Sequence, residues 1–395
     1  MKKKNHVILF IVMFAVTMLL LFASIIQKEF KIFKFRKILG VTVETTKPKF
    51  NLEDFNNFEY QKNLNKYLED NFGFREPLIL LYNQYAWSLF NKKFSHNVTV
   101  GKDNFLFEPW VIEEYNQTAS YYKLNTYEQL YSKCDSVIEL IYQFQNLYTN
   151  LGKTFVICLV PDKAVMYPEY LPDKNRFKPN TLGIPEYYSI NLKKKGVNVL
   201  DFKDWFFSIK DTTDILVYPQ TGTHWSMITS AYSFDSIIKY AESLSNKKIA
   251  DYSFSKPYKK EANGIDVDLE SILNLLKPIK KPLQYYVDIK VSNIDKDKKP
   301  NLIFLGDSYI WNIYAQMHLT EVFNKYPYWY YYNTIYYDPN HNNVNELNLY
   351  DELINSDYLF VIYSYTMTPK IADEFFEKAI KVLSENNDTI RKNSF

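Results

Sequence analysis

Three uninterrupted apolar runs constrain this chain most, at 154–160, 302–305 and 358–363. A strand with one wet face alternates apolar and polar residues. A short run without alternation reads as a strand covered on both faces. Helical patterns lie between these runs, over 125–150, 183–195 and 226–244, and 197–200 reads as a further strand. Strands alternating with helices imply an α/β fold, a mostly parallel sheet with helices on both faces. The chain has 395 residues, 47% of them hydrophobic and 23% charged, enough for such a core.

The middle run carries the chemistry. Its apolar residues close on Gly306-Asp307-Ser308-Tyr309, a buried strand entering a tight turn. A serine on that turn stands at the carboxyl end of a strand, where open α/β sheets bind ligands. Its hydroxyl needs a base before it can attack. Of five histidines, His224 lies in a compact turn, Gly222-Thr223-His224-Trp225-Ser226. Ser308 and His224 are therefore expected to meet, as nucleophile and base for acyl transfer. A third group should orient the imidazole, and no carboxylate stands within a few residues of His224. Asp162 and Asp201 follow neighbouring strands and Asp214 precedes the turn; these three are the candidates. Lys163, Tyr309 and Trp225 are candidates for contacts to an oxyanion or substrate, with backbone amides at Ser308 as further donors. Asp307 should point away from Ser308, because adjacent positions diverge, and bond the local backbone. The aromatic stretch 328–337 reads either as a sugar-stacking surface or as half-buried sheet packing.

Other chemistries find little support. Only 9 glycines occur, with no Gly-rich phosphate loop, and the net charge of +2 leaves no nucleic-acid footprint. Cys134 and Cys158 lack metal-ligand spacing and read as small buried hydrophobes. No metal or cofactor is expected.

The amino terminus is Met-Lys-Lys-Lys-Asn-His, followed by 20 uncharged residues, Val7 to Ile26. Such a helix spans about 30 Å, one bilayer core, and exceeds the apolar region of a cleavable signal. Residues 1–27 are thus read as a single-pass membrane anchor. Lysines on both flanks leave its orientation open. Residues 28–95 read as a juxtamembrane linker and helical lead, and 96–395 as the catalytic domain. A lysine-rich stretch at 249–300 looks like an insertion, with a helix over 265–276.

The order of several segments resembles a known family. They are Tyr67-Leu68-Glu69-Asp70-Asn71-Phe72-Gly73-Phe74-Arg75, Val100-Gly101-Lys102-Asp103-Asn104-Phe105-Leu106-Phe107, Val160-Pro161-Asp162-Lys163, Tyr167-Pro168-Glu169-Tyr170-Leu171-Pro172, Gly222-Thr223-His224-Trp225 and Gly306-Asp307-Ser308-Tyr309. Together they resemble the SGNH-hydrolase-like polysaccharide O-acetyltransferases of the alginate acetylation type, in a membrane-anchored form without a carbohydrate-binding module. The resemblance implies a three-layer α/β sandwich and a Ser–His–Asp acetyltransferase acting on an exported polysaccharide. It implies a membrane-bound O-acyltransferase partner as acetyl donor, and a place on the extracytoplasmic side of the cytoplasmic membrane. The family's serine maps to Ser308 and its histidine to His224. Its aspartate stands two residues before the histidine, where this chain has Gly222. Loss of the orienting aspartate costs a serine protease about 10⁴ in turnover, so the gap matters. A carbohydrate esterase with the same site, or a non-catalytic carbohydrate-binding subunit, are the alternatives.

Overall fold

Each long apolar run becomes a strand, and burial on two faces sets how the strands pair. The computed structural model describes residues 2–40, 45–90, 93, 95–173, 180–295, 298–371 and 374–392. Its strands are β1 (Thr99–Val100), β2 (Leu106–Phe107), β3 (Thr154–Val160), β4 (Val199–Asp201), β5 (Asp251–Phe254) and β6 (Tyr258–Lys260). They continue with β7 (Gln284–Tyr286), β8 (Ile289–Ser292), β9 (Leu302–Gly306), β10 (Tyr328–Tyr330), β11 (Thr334–Tyr336) and β12 (Tyr358–Ser364). Among the described residues, six of them form the main sheet, in the order β11-β10-β9-β12-β3-β4. All neighbours run parallel except the β10–β11 edge pair. The register aligns Phe360 with Phe304 on one side and Val156 on the other.

Side chains alternate across these strands, so every residue of β3, β9 and β12 is buried, but in two different cores. Val156, Cys158, Phe304, Phe360 and Ile362 face one core, with Ala231, Phe234, Ile237 and Ile238 of the helix Met227–Ser245. Phe155, Ile157, Leu305, Val361 and Tyr363 face the other, with residues of Tyr127–Asn150, Ile184–Lys195 and Phe375–Lys392. The α/β three-layer expectation holds. The last helix was expected from Ala372, which lies outside the described residues. Cys134 and Cys158 are free and buried.

The chain forms two compact units, Met1–Val98 with Glu270–Ile279, and Thr99–Leu269 with Lys280–Phe395. The sheet and both cores lie in the second. In the first, a helix Lys2–Phe30 contains an apolar stretch, His6–Phe30, long enough to cross a membrane. Its large apolar side chains are mostly exposed. Helices Leu52–Asn56, Glu59–Asp70 and Arg75–Phe90 follow. Asn83 donates to Leu273 O at 3.0 Å and Arg36 to Leu275 O at 2.7 Å, so the 270–279 segment is sewn into this unit.

The stretch 249–300 is more ordered than its composition suggests. β5 pairs with β8 and β6 with β7, both antiparallel. The helix expected over 265–276 is shorter: a 3₁₀ turn, Gly264–Val267, runs into Asp268–Ile272. Asn274 then takes a left-handed conformation, φ +51°, which ends helical winding.

Candidate active site

Two turns at the carboxyl end of the sheet are built by backbone constraints. At Gly306 a Cβ would lie 1.9 Å from Ile362 O, so only glycine lets β9 close against β12 there. Asp307 then fixes the turn: Oδ1 accepts from the Tyr309 amide at 3.1 Å and Oδ2 from the Ser364 amide at 2.7 Å. Ser308 is left projecting at the strand end.

The histidine turn is held from three sides. Ser226 N donates to Val217 O at 2.8 Å, and its hydroxyl caps the helix Met227–Ser245. Leu106 N donates to Gln220 O at 2.9 Å. Trp225 is fully buried; its Nε1 donates to Tyr309 O at 3.0 Å, and Asn312 Nδ2 donates to Trp225 O at 3.0 Å. These last two bonds join the histidine turn directly to the serine turn.

His224 Nε2 consequently lies 2.9 Å from Ser308 Oγ. On the other side of the ring, Nδ1 lies 2.6 Å from Asp268 Oδ2. An ionised carboxylate only accepts, so the neutral imidazole carries its proton on Nδ1 and leaves Nε2 to accept from the hydroxyl. Asp268 Oδ1 accepts from the amides of Thr223 at 2.8 Å and Leu269 at 2.7 Å, which fixes the carboxylate's orientation. His224 and Asp268 side chains are 12% and 27% exposed, so the pair is reachable from solvent.

Gly222 explains how Asp268 gets there. A Cβ on Gly222 would lie 2.8 Å from Asp266 O. The backbone that delivers Asp268 therefore packs into the space a side chain at 222 would need. The carboxylate enters from a segment 44 positions downstream.

A second carboxylate approaches the pair. Glu108 Oε2 accepts from Thr223 Oγ1 at 2.7 Å. Burial pushes the Glu108 carboxyl up to about 7, against the pull of the Thr223 bond and of His224. Burial alone would pull the His224 imidazole down; Asp268, then Glu108 and Asp307, outweigh it and hold it above its ordinary value.

The three carboxylates expected beside His224 are occupied elsewhere. Asp162 Oδ2 accepts from the Thr366 amide at 2.7 Å and hydroxyl at 2.6 Å, and burial pushes it up to about 8. Asp201 accepts from Ser189 at 2.5 Å and Tyr365 at 2.9 Å. Asp214 pairs with Lys259 at 2.7 Å and Tyr285 at 2.8 Å. The substrate-contact candidates are inward-facing too. Lys163 is 1% exposed, and its Nζ donates to Leu106 O, Pro219 O, Gln220 O and Gly222 O at 2.6–2.9 Å. Trp225 and Tyr309 are buried against the turn backbones, and the Tyr309 amide is spent on Asp307. Most of the 328–337 aromatics pack the sheet edge; Trp329 and Tyr328 are fully buried. Asp268 and Glu108 were missed because neither sits in a local pattern. The one sequence signal was the side chain lacking at Gly222, which left open a carboxylate from elsewhere, a Ser–His dyad or a non-catalytic member, and gave no position for a substitute.

A hydroxyl aligned with an imidazole and a carboxylate can undertake nucleophilic acyl transfer. Comparison with known proteins bears on the same stretch. The model of a family described as SGNH hydrolase-like domain, acetyltransferase AlgX, matches residues 98–312. Among curated proteins, none matches the sequence. Among solved structures, the O-acetyltransferase domain of Pseudomonas putida AlgJ aligns at 16% identity and TM-score 0.46, covering 73% of this chain and 99% of that one. Pseudomonas aeruginosa AlgX aligns at 11% identity and TM-score 0.45, covering 73% and 67%. Bacillus cereus PatB1 aligns at 13% identity and TM-score 0.36, covering 60% and 90%. The family match takes in more than half of the chain, including β1, β3, β9 and both turns, and this chain belongs to the SGNH hydrolase-like family of AlgX acetyltransferases.

Proposed function

We propose that the chain is a membrane-anchored O-acetyltransferase that moves acetyl groups onto a polysaccharide outside the cytoplasm. The observation that carries this reading is the continuous line Asp268–His224–Ser308, with contacts of 2.6 and 2.9 Å. In the first half-reaction Ser308 Oγ attacks the acetyl carbonyl while His224 Nε2 takes the hydroxyl proton. The oxyanion forms beside the Ser308 amide, which makes no hydrogen bond among the described residues. Collapse of the tetrahedral intermediate expels the donor's leaving group, and His224 returns the proton to it. Ser308 is left acetylated. In the second half-reaction His224 takes a proton from a sugar hydroxyl, which attacks the acetyl carbonyl; collapse breaks the bond to Ser308 Oγ, and His224 returns the proton to that oxygen. Asp268 stabilises the imidazolium in both halves.

The apolar stretch His6–Phe30 supports an uncleaved anchor in the cytoplasmic membrane. A membrane-bound O-acyltransferase partner would then hand the acetyl group across, and the unit from Thr99 onward would act on the exported polymer.

The test is Ser308→Ala in the full chain, with the acetyl content of the polysaccharide measured in producing cells. A fall of about 10³-fold or more is expected. Unchanged acetylation would overturn Ser308 as nucleophile. An acetyl-ester surrogate, offered with and without an oligosaccharide acceptor, separates the rivals. Hydrolysis without transfer marks a carbohydrate esterase, and sugar binding without covalent labelling of Ser308 marks a binding subunit.

A further inference from the structure

A cavity of about 290 Å³ opens at the amino ends of β9 and β10. That volume is near the lower end of ordinary small-molecule pockets, about 300 Å³. It lies far from the catalytic turns: β9 begins at its wall and ends before Ser308, about 17 Å further along the strand.

Its lining carries several groups the fold does not use. The Glu352 carboxylate makes no hydrogen bond or ion pair among the described residues, and burial, with Asp338 nearby, raises its pKa. Neither the Lys325 ammonium nor the side-chain amides of Asn340 and Asn355 has a hydrogen-bond partner among the described residues. The Tyr337 ring stacks on Tyr314, with centroids 4.2 Å apart, has Trp311 and Tyr326 rings 6.3 and 6.4 Å away, and remains 56% exposed. Tyr337 also holds φ at +59°, an uncommon backbone state for an aromatic residue. The rim beyond it is tied by local hydrogen bonds. Asp338 Oδ1 accepts from the Asn340 amide at 2.8 Å, and Oδ2 faces His341 Nδ1 at 3.2 Å.

The chemistry of this lining narrows the ligand. Asp338 and Glu352 offset Lys325, so the wall is not the cationic cradle a phosphate needs. No three His, Cys, Asp or Glu side chains converge to hold a metal among the described residues. A partly exposed aromatic ring beside a carboxyl, free amides and an ammonium suits a flat C–H face rimmed by hydroxyls. We propose that this cavity is a second ligand site that takes one hydroxyl-rich sugar ring, stacked on Tyr337 and hydrogen-bonded by Glu352 and the neighbouring amides. The site is independent of the Ser308 chemistry.

The test uses the full chain in a detergent without a sugar head group. Saturation-transfer NMR is recorded separately with glucose, N-acetylglucosamine, glucuronate and inorganic phosphate. Transfer to the ring protons of at least one sugar is expected. It should be retained in Ser308→Ala and weakened about tenfold in Tyr337→Ala and in Glu352→Gln. Thermal melting checks each variant, and if Tyr337→Ala melts early, Glu352→Gln decides alone. No transfer from any sugar, binding of phosphate alone, or transfer unchanged in Glu352→Gln would overturn the proposal.

Discussion

Lys163 and Ser308 occupy comparable places and do opposite things. Lys163 follows the end of β3 and Ser308 follows the end of β9, and both strands flank β12. Each lies at the edge where an α/β sheet binds ligands. Lys163 turns inward, and four carbonyl oxygens surround its Nζ at 2.6–2.9 Å, with Phe105 and Phe107 rings 5.4 and 5.3 Å away. Ser308 turns outward to a single base that a solvent-reachable carboxylate backs. A charged group whose donors are all engaged holds structure. A group whose bond leads to a titratable partner can do chemistry. Position at the strand end does not distinguish the two; saturation does.

The largest effect that can break this contrast is expected at the third member. Asp268→Asn keeps the shape but removes the charge that stabilises the imidazolium. Turnover should fall about 10³- to 10⁴-fold with little change in substrate KM. Restoring the family's usual aspartate with Gly222→Asp in the same protein should not recover activity, because Asp266 O stands 2.8 Å from the new Cβ. Steady-state kinetics on both variants checks this, and full activity in Asp268→Asn would remove Asp268 from the site.

Lys163→Met sharpens the other half. It takes this donor from Leu106 O, Pro219 O and Gly222 O, while Gln220 O keeps the Leu106 amide, at roughly 1–3 kcal/mol for each carbonyl left with no partner. A loss of about 3 kcal/mol or more is expected in chemical denaturation, while the wild-type site chemistry should survive in the molecules that remain folded. Burial already draws the Lys163 ammonium down to about 7, against the pull of Asp268 and Glu108, which marks how little water reaches it. If stability were unchanged and only turnover fell, Lys163 would belong with the reacting groups.

The smallest effect concerns pH. His224 acts as base only when neutral, so activity should rise with pH through the imidazole's pKa. Asp268, Glu108 and Asp307 hold that pKa above the ordinary value of about 6.5. Glu108→Gln removes one of these negative neighbours, so the acid limb of kcat/KM should move to lower pH. The shift should be small, since Asp268 contributes more than Glu108 to the raised value. A limb that moved upward would contradict the sign.

Much of this molecule was legible locally. Unbroken apolar runs at 154–160 and 358–363 specify strands covered on both faces, since any one-sided strand would expose half of them. The glycine before Asp307 marked a strand end for the same kind of reason. The helix over 265–276 was misread because its apolar spacing competes with the left-handed Asn274, a choice made by tertiary contacts. Lys163 reads in the sequence as a contact to an oxyanion or substrate because it follows a strand end, while the carbonyls that cage it come from two remote segments, around Leu106 and 219–222.

The sequence by itself determined the α/β class, the apolar amino-terminal helix and the two turns that carry Ser308 and His224. Each depends on periodicity, on glycine or on residue type within a few positions. Only the tertiary structure decided which carboxylate faces His224 and which charged groups are saturated. Those outcomes depend on where backbone has room to pack, and the room beside Gly222 is filled by a segment from elsewhere in the chain.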